Sequence, residues 1–269
     1  MIDFDNPKTF PPEMDNIISE YSDFILKELS KGQAKEDYEI ESVISDWRWH
    51  NNEIINRIKC CLETSTFKVW HVARIEDEKD YYDNGIIVMI NNENAIQQRM
   101  INLLKRLNLS SEEINNIVEK ANVYWKRDGE VRSACIHFFF GKDCIEDPRQ
   151  SVFAINLGGE IMNWSLRSID SKLYQKEPYK RLWIWGKPCI ISFRCRFDDM
   201  HELTQETIIL ELVKYYVFKK IYNIKYKFDC TGIKIGNVDS KDIIDIEIID
   251  NFYDVHSQFE IEGFYDEVR

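Results

Sequence analysis

The sequence predicts a mixed α+β fold: a largely antiparallel, split-sheet core, an N-terminal helical segment, and a C-terminal helix followed by strands. Three observations carry this. Short β-rich runs alternate irregularly with helical periodicity, which disfavours a doubly wound parallel sheet. The first sixty-odd residues repeat apolar side chains at helical spacing. The dinucleotide and phosphate-loop glycine signatures that mark parallel α/β sheets do not occur.

Along the chain, residues 1–11 read as an irregular lead-in, and Pro12 suits the first turn of a helix. Ile17, Ile18, Tyr21, Phe24, Ile25 and Leu29 continue that helix. Ile40, Ile44, Trp47, Ile54, Ile58 and Leu62 predict one long helix or two shorter ones, with Asn51-Asn52 as the interruption. Phe67 to Ile75 is rich in β-formers and predicts a strand. Gly85 to Ile90 predicts a second, buried strand. Ile96, Met100, Leu103, Leu104 and Leu107 are helical in period. Ser110-Ser111-Glu112-Glu113 has capping-box form and opens a helix that Asp128-Gly129 ends.

Cys135 to Phe140 and Ser151 to Asn156 predict strands. Gly158-Gly159 then breaks into a helix containing Glu160, Ile161 and Trp164. After an aromatic connection, Gly186-Lys187-Pro188 turns into the alternating strand Cys189 to Phe197. Thr204 is placed to cap a helix reaching about Tyr222. Strands are expected at Tyr226–Asp229, Ile243–Ile249 and Phe259–Phe264. The expected organisation is a helical segment over 1–65, a core with a cleft over 66–200, and a C-terminal helix with acidic strands over 201–269.

Composition restricts the function classes. Hydrophobic residues make up 44% and charged residues 30%, which is globular rather than disordered. The net charge of -12 repels nucleic acid and anionic lipid at long range, and only Lys172 to Arg196 offers a basic patch. Acidic residues crowd the end of the chain, from Asp239 to Glu267. Seven irregularly spaced cysteines without a Cys-x-x-Cys pair argue against zinc and for reduced thiols. The N-terminus lacks the pattern of a signal peptide, and no run of about 18 apolar residues exists, so a cytoplasmic protein without a membrane span is expected.

Three features stand in one order: the strand end Val69-Trp70-His71-Val72-Ala73-Arg74-Ile75 with Gly85-Ile86, then Gly158-Gly159-Glu160, then Gly186-Lys187-Pro188 before a strand. Over residues 66–200 this order resembles ADP-ribosyltransferase folds, nearest to the DNA-targeting toxins and the RNA 2′-phosphotransferases. Ala73 stands where those proteins carry the threonine of a His-x-Thr motif.

The resemblance implies a cleft between two small sheets that takes NAD as substrate, with no metal. His71 would bind a ribose hydroxyl or the nicotinamide side, and Arg74 the pyrophosphate. Tyr81, Tyr82 or Trp164 would stack on the nicotinamide ring. Glu160 would stabilise positive charge growing on the ribose, with Glu202 and Glu206 as rivals for that role. The function expected is transfer of ADP-ribose to a macromolecular acceptor, as in a toxin or a phage-defence effector. Each residue also has a purely structural role open to it. His71 fits a sheet-edge histidine, Arg74 an ion pair with Glu76, Asp77 or Glu78, and Glu160 a carboxylate at a helix start. The competing expectation for the whole chain is a non-catalytic acidic protein, antitoxin-like or inhibitory, whose acidic C-terminal region covers a basic partner surface.

Overall fold

The computed structural model describes residues 1–31, 40, 42–46, 52–88, 92–127, 134–142, 145, 158–173, 176–223, 225–228 and 230–249. The expected strands at Ser151–Asn156 and Phe259–Phe264, the Asp128-Gly129 stop, Trp47 and the acidic residues from Asp250 onward lie outside these.

The fold is α+β, as the pattern predicts. Six strands are described: β1 (Ile2–Asp3), β2 (Thr66–Ile75), β3 (Cys135–Phe139), β4 (Lys187–Arg196), β5 (Thr231–Ile235) and β6 (Ile243–Ile248). They form one open, largely antiparallel sheet in the order β5-β3-β2-β4-β6, with β1 parallel to β2. The helices are α1 (Pro12–Glu20), α2 (Ser22–Lys31), α3 (Asn52–Leu62), α4 (Lys79–Asn84), α5 (Glu93–Lys105), α6 (Ser111–Arg127), α7 (Gly159–Ile169), α8 (Arg181–Ile184) and α9 (Glu202–Tyr216). A π-helical turn, Val217–Ile221, continues α9. None of the described helices is long and apolar enough to cross a membrane.

The chain divides into two compact units, each assembled from three stretches. Unit 1 is Met1–Val69, His137–Cys144 and Arg194–Lys234; unit 2 is Trp70–Ile136, Ile145–Phe193 and Ile235–Arg269. These do not coincide with the contiguous segments 1–65, 66–200 and 201–269 expected from composition.

Unit 1 is built on aromatic rings. Phe4 packs against Phe10, Phe67, Phe140 and Phe228, with centroids 4.5–6.3 Å apart, and Tyr215 stacks on Phe228 at 5.2 Å. The lead-in is therefore not irregular: Ile2 pairs with Phe67 as β1, which carries Phe4 into the core. His201-Glu202 opens α9, as a helix N-terminus read there from the sequence requires, but the cap is not the expected Thr204. His201 is its N-cap, its Nδ1 accepting from the Leu203 N–H at 3.2 Å. The Thr204 hydroxyl instead accepts from the Ile233 N–H of β5 at 2.9 Å, three residues into a helix already started. The strand expected at Tyr226–Asp229 is displaced to Thr231–Ile235, where the backbone bonds are made. Cys60 is exposed and Cys61 half-buried on α3.

Unit 2 holds a leucine-rich cluster from α5, α6, α7 and α8, including Leu103, Leu104, Ile117, Ala121, Met162, Leu166 and Leu182. The helical period read from these residues is the reason: spacing of three and four places them on one face. Beside the cluster, β4 pairs antiparallel with β6, from Cys189 opposite Ile248 to Phe193 opposite Ile243. Pro188 to Phe193 is buried without interruption, so this stretch of β4 is covered on both faces rather than alternating. The strand expected over Gly85–Ile90 is reduced to a single antiparallel bridge between Ile86 and Val238, and Met89 and Ile90 lie outside the described residues.

Candidate functional site

A cavity of about 590 Å³ lies within unit 2. That volume suits a ligand of nucleotide or dinucleotide size. Its walls come from the end of β2, the turn and α4 that follow, one face of α5, and the start of α7.

The β2 wall ends in Arg74 and Ile75, then Glu76 and Asp77 turn the chain into α4. Arg74 is 8% exposed, an unusual burial for a charged group. On α4, Asp80 and Tyr81 face the cavity. This six-residue helix is too short to stand by its own propensity, and it is fixed at its end instead. The Gly85 N–H donates to the Tyr81 carbonyl at 2.7 Å, and Ile86 exchanges two backbone bonds with Val238 at 3.0 and 2.9 Å. The Val88 N–H adds a bond to Asn237 Oδ1 at 2.8 Å. Gly85 has φ of 71°, and a Cβ there would lie 1.9 Å from the Val238 carbonyl oxygen, so only glycine fits.

The α5 wall is a single stripe, Ile96, Arg99, Leu103 and Arg106, with Met100 beside it. Arg99 and Arg106 therefore sit above and below an apolar patch. The Arg106 guanidinium donates to both carboxylate oxygens of Glu76, each at 2.7 Å. Its Cζ also lies 4.4 Å from the centre of the Trp185 ring. The fourth wall is Gly158, with φ of 98°, leading into Ile161 and Met162 of α7.

The walls carry three arginines (Arg74, Arg99, Arg106) and three carboxylates (Glu76, Asp77, Asp80) around an apolar floor. The carboxylates belong to the turn and α4, while two of the arginines belong to α5. Burial pushes the Tyr81 phenol well above the ordinary tyrosine range, Cys189 and Asp80 adding to the shift and Arg99 opposing it. Burial likewise pushes the Cys189 thiol up to about 12; Glu78 adds to this, while a backbone bond to Ala73 and the charge of Arg74 oppose it. Both groups are therefore neutral at pH 7.

Of the residues singled out in the sequence, the cavity brings together Arg74 and Tyr81. His71 is half-buried on β2 and is not among the walls. The pleat accounts for the separation: side chains three apart on a strand point to opposite faces, so His71 does not share the face of Arg74. Tyr82 is 43% exposed on α4, one residue round from Tyr81. Trp164 packs on Tyr124 with centroids 4.6 Å apart, joining α7 to α6. Glu160 lies in the first turn of α7 between the wall residues Gly158 and Ile161, and its side chain is outside the described residues. Glu202 and Glu206 belong to α9 in unit 1, Glu202 exposed and Glu206 half-buried. Glu76, an expected partner of Arg74, is held by Arg106. The resemblance implied a cleft between two sheets, whereas this cavity is bordered by helices at the end of one strand.

Arg99, Arg106 and Asp80 were not singled out in the sequence. The signal was present in part: two arginines seven apart on an apolar helical stripe. Nothing local placed that stripe opposite the end of β2.

Among the described residues, no group of three or more His, Cys, Asp and Glu side chains is arranged to hold a metal ion. Comparison of the chain with protein-family models, with curated proteins and with solved structures finds no match.

Proposed function

We propose that the unit 2 cavity binds NAD and that the protein is an ADP-ribosyltransferase-like enzyme, passing ADP-ribose to a macromolecular acceptor or to water. The observation that supports this is the pairing of opposite charges around an apolar floor in a space of about 590 Å³. NAD is itself dipolar. Its pyrophosphate is anionic and its nicotinamide ring is cationic, so walls that carry both arginines and carboxylates match it better than they match a simple polyanion.

In this reading Arg74 and Arg99 take the pyrophosphate, where a planar cation offers several donors. Tyr81 and the isoleucines flank a base, and the carboxylates of Asp77 and Asp80 face the pyridinium. The bond from nicotinamide to ribose C1′ breaks with its electron pair leaving on nicotinamide. The acceptor's nucleophile bonds to C1′ and gives up its proton. Glu160, at the opening turn of α7, is the carboxylate assigned to stabilise the cationic ribose.

Titration calorimetry with NAD, beside chromatographic detection of nicotinamide, tests both parts. Arg99 is exposed, so Arg99→Ala is expected to fold and to weaken NAD binding about tenfold, the loss of roughly one charge-assisted bond. Glu160→Gln is expected to bind NAD and release no nicotinamide. No NAD binding at millimolar concentration would overturn the class, and unchanged binding by Arg99→Ala would overturn the site.

A further inference from the structure

The geometry points to Arg106 as a specificity-determining residue that recognises a ligand phosphate by exchanging it for the Glu76 carboxylate. This rests on the cavity's being a ligand site, and it does not require that the ligand be NAD.

Three side chains of unit 2 carry the argument. The Trp185 ring lies under the guanidinium at 4.4 Å, which fixes the plane of Arg106 and leaves its edges to hydrogen bonding. One edge donates twice to Glu76 at 2.7 Å. Both partners also border the cavity, so the bonded edge lies where an anion would arrive. The pair is half-exposed, at 46% and 44%. Exposed pairs of this kind are weak because water screens them. A phosphate oxygen pair offers the same bidentate geometry as a carboxylate, a pyrophosphate sets two such charges side by side, and the displaced Glu76 returns to water at little cost.

Glu76 thus acts as a built-in competitor. It occupies Arg106 against neutral or weakly anionic ligands and yields to a phosphate. Such a device sets a charge threshold on what the cavity accepts. Trp185 reports the exchange, because its ring contacts the group whose partner changes.

The test follows Trp185 fluorescence, taken as the difference between the native protein and Trp185→Phe, during titration with inorganic pyrophosphate, ADP-ribose and NAD. A saturating change with the anions is expected. Glu76→Gln keeps the side-chain shape and removes the competing charge, and is expected to bind ADP-ribose three- to tenfold more tightly. Arg106→Gln is expected to bind it at least tenfold more weakly. All three side chains are at least partly exposed, so these variants are expected to fold. Equal or weaker binding by Glu76→Gln overturns the exchange, as does unchanged binding by Arg106→Gln. A Trp185 response to pyrophosphate and ADP-ribose without NAD binding upholds the exchange and removes the NAD reading. NAD binding with no Trp185 response to any anion does the reverse.

Discussion

At the scale of single residues, Gly85 in the cavity wall and Gly159, next to the wall's Gly158, have different meanings although both have positive φ. Gly85 abuts the Val238 carbonyl, whereas Gly159, with φ of 63°, has nothing within 4 Å of where its Cβ would be. Gly159→Ala is therefore expected to cost about 1 kcal/mol, the backbone penalty alone. Gly85→Ala adds a steric conflict with backbone and breaks the two bonds between Ile86 and Val238, so about 3 kcal/mol or more is expected. Denaturant midpoints of the two variants check this; equal losses would mean that the Val238 contact is not what demands glycine. In the sequence, Gly85 stands as a break before an apolar run and as part of the resemblance, but the contact that demands glycine lies across the sheet edge. His71 teaches the same lesson in reverse. Its spacing from Arg74 drew notice, but on a strand an interval of three separates side chains rather than joining them.

Elements whose causes are local were the legible ones. The box before α6 forms as its spelling implies: Ser110 Oγ accepts from the Glu113 N–H at 3.2 Å, and Glu113 Oε2 accepts from the Ser110 N–H at 2.8 Å and from its hydroxyl at 2.7 Å. Those bonds, the hydroxyl's first, hold the Glu113 carboxyl below its usual range. Ser110→Ala is expected to destabilise by about 1 kcal/mol, checked by thermal or urea unfolding; no loss would show that α6 is held by packing alone. Helices α5, α7 and α9 and strands β2, β3, β4 and β6 also lay close to their predicted ranges. Strand β1 was missed because a two-residue strand is defined by its partner rather than by pattern, and β5 was placed a few residues too early. Half the cavity was hidden for the same reason. Arg74 of β2 and Tyr81 of α4 lie in the stretch that the sequence marks out, while nothing local places Arg99 and Arg106 of α5 opposite them.

The whole molecule carries a net charge of -12, and three groups whose protons are held by desolvation contribute to its response to alkali. Burial pushes up Tyr81, Tyr216 and Cys189, the last to about 12. Each binds its proton more tightly folded than unfolded. The stability they contribute is fully present below the unfolded pKa values, near 8.5 for cysteine and 10 for tyrosine, and is lost as pH rises toward the folded ones. Denaturant midpoints are therefore expected to fall between about pH 8.5 and 11; a flat profile across that range would contradict the burial of these groups.

Gly85 and Ile86 have a further consequence, one of timing. The contact that anchors α4 joins Val88 to Asn237, 149 positions along the chain. A ribosome delivers the arginines of β2 and α5 long before it delivers Asn237 and Val238. Until then the wall bearing Tyr81 has no anchor, and the cavity is incomplete. A nascent or truncated chain would already possess most of the cavity-lining residues and still lack the cavity, which is completed only as the last strands are made.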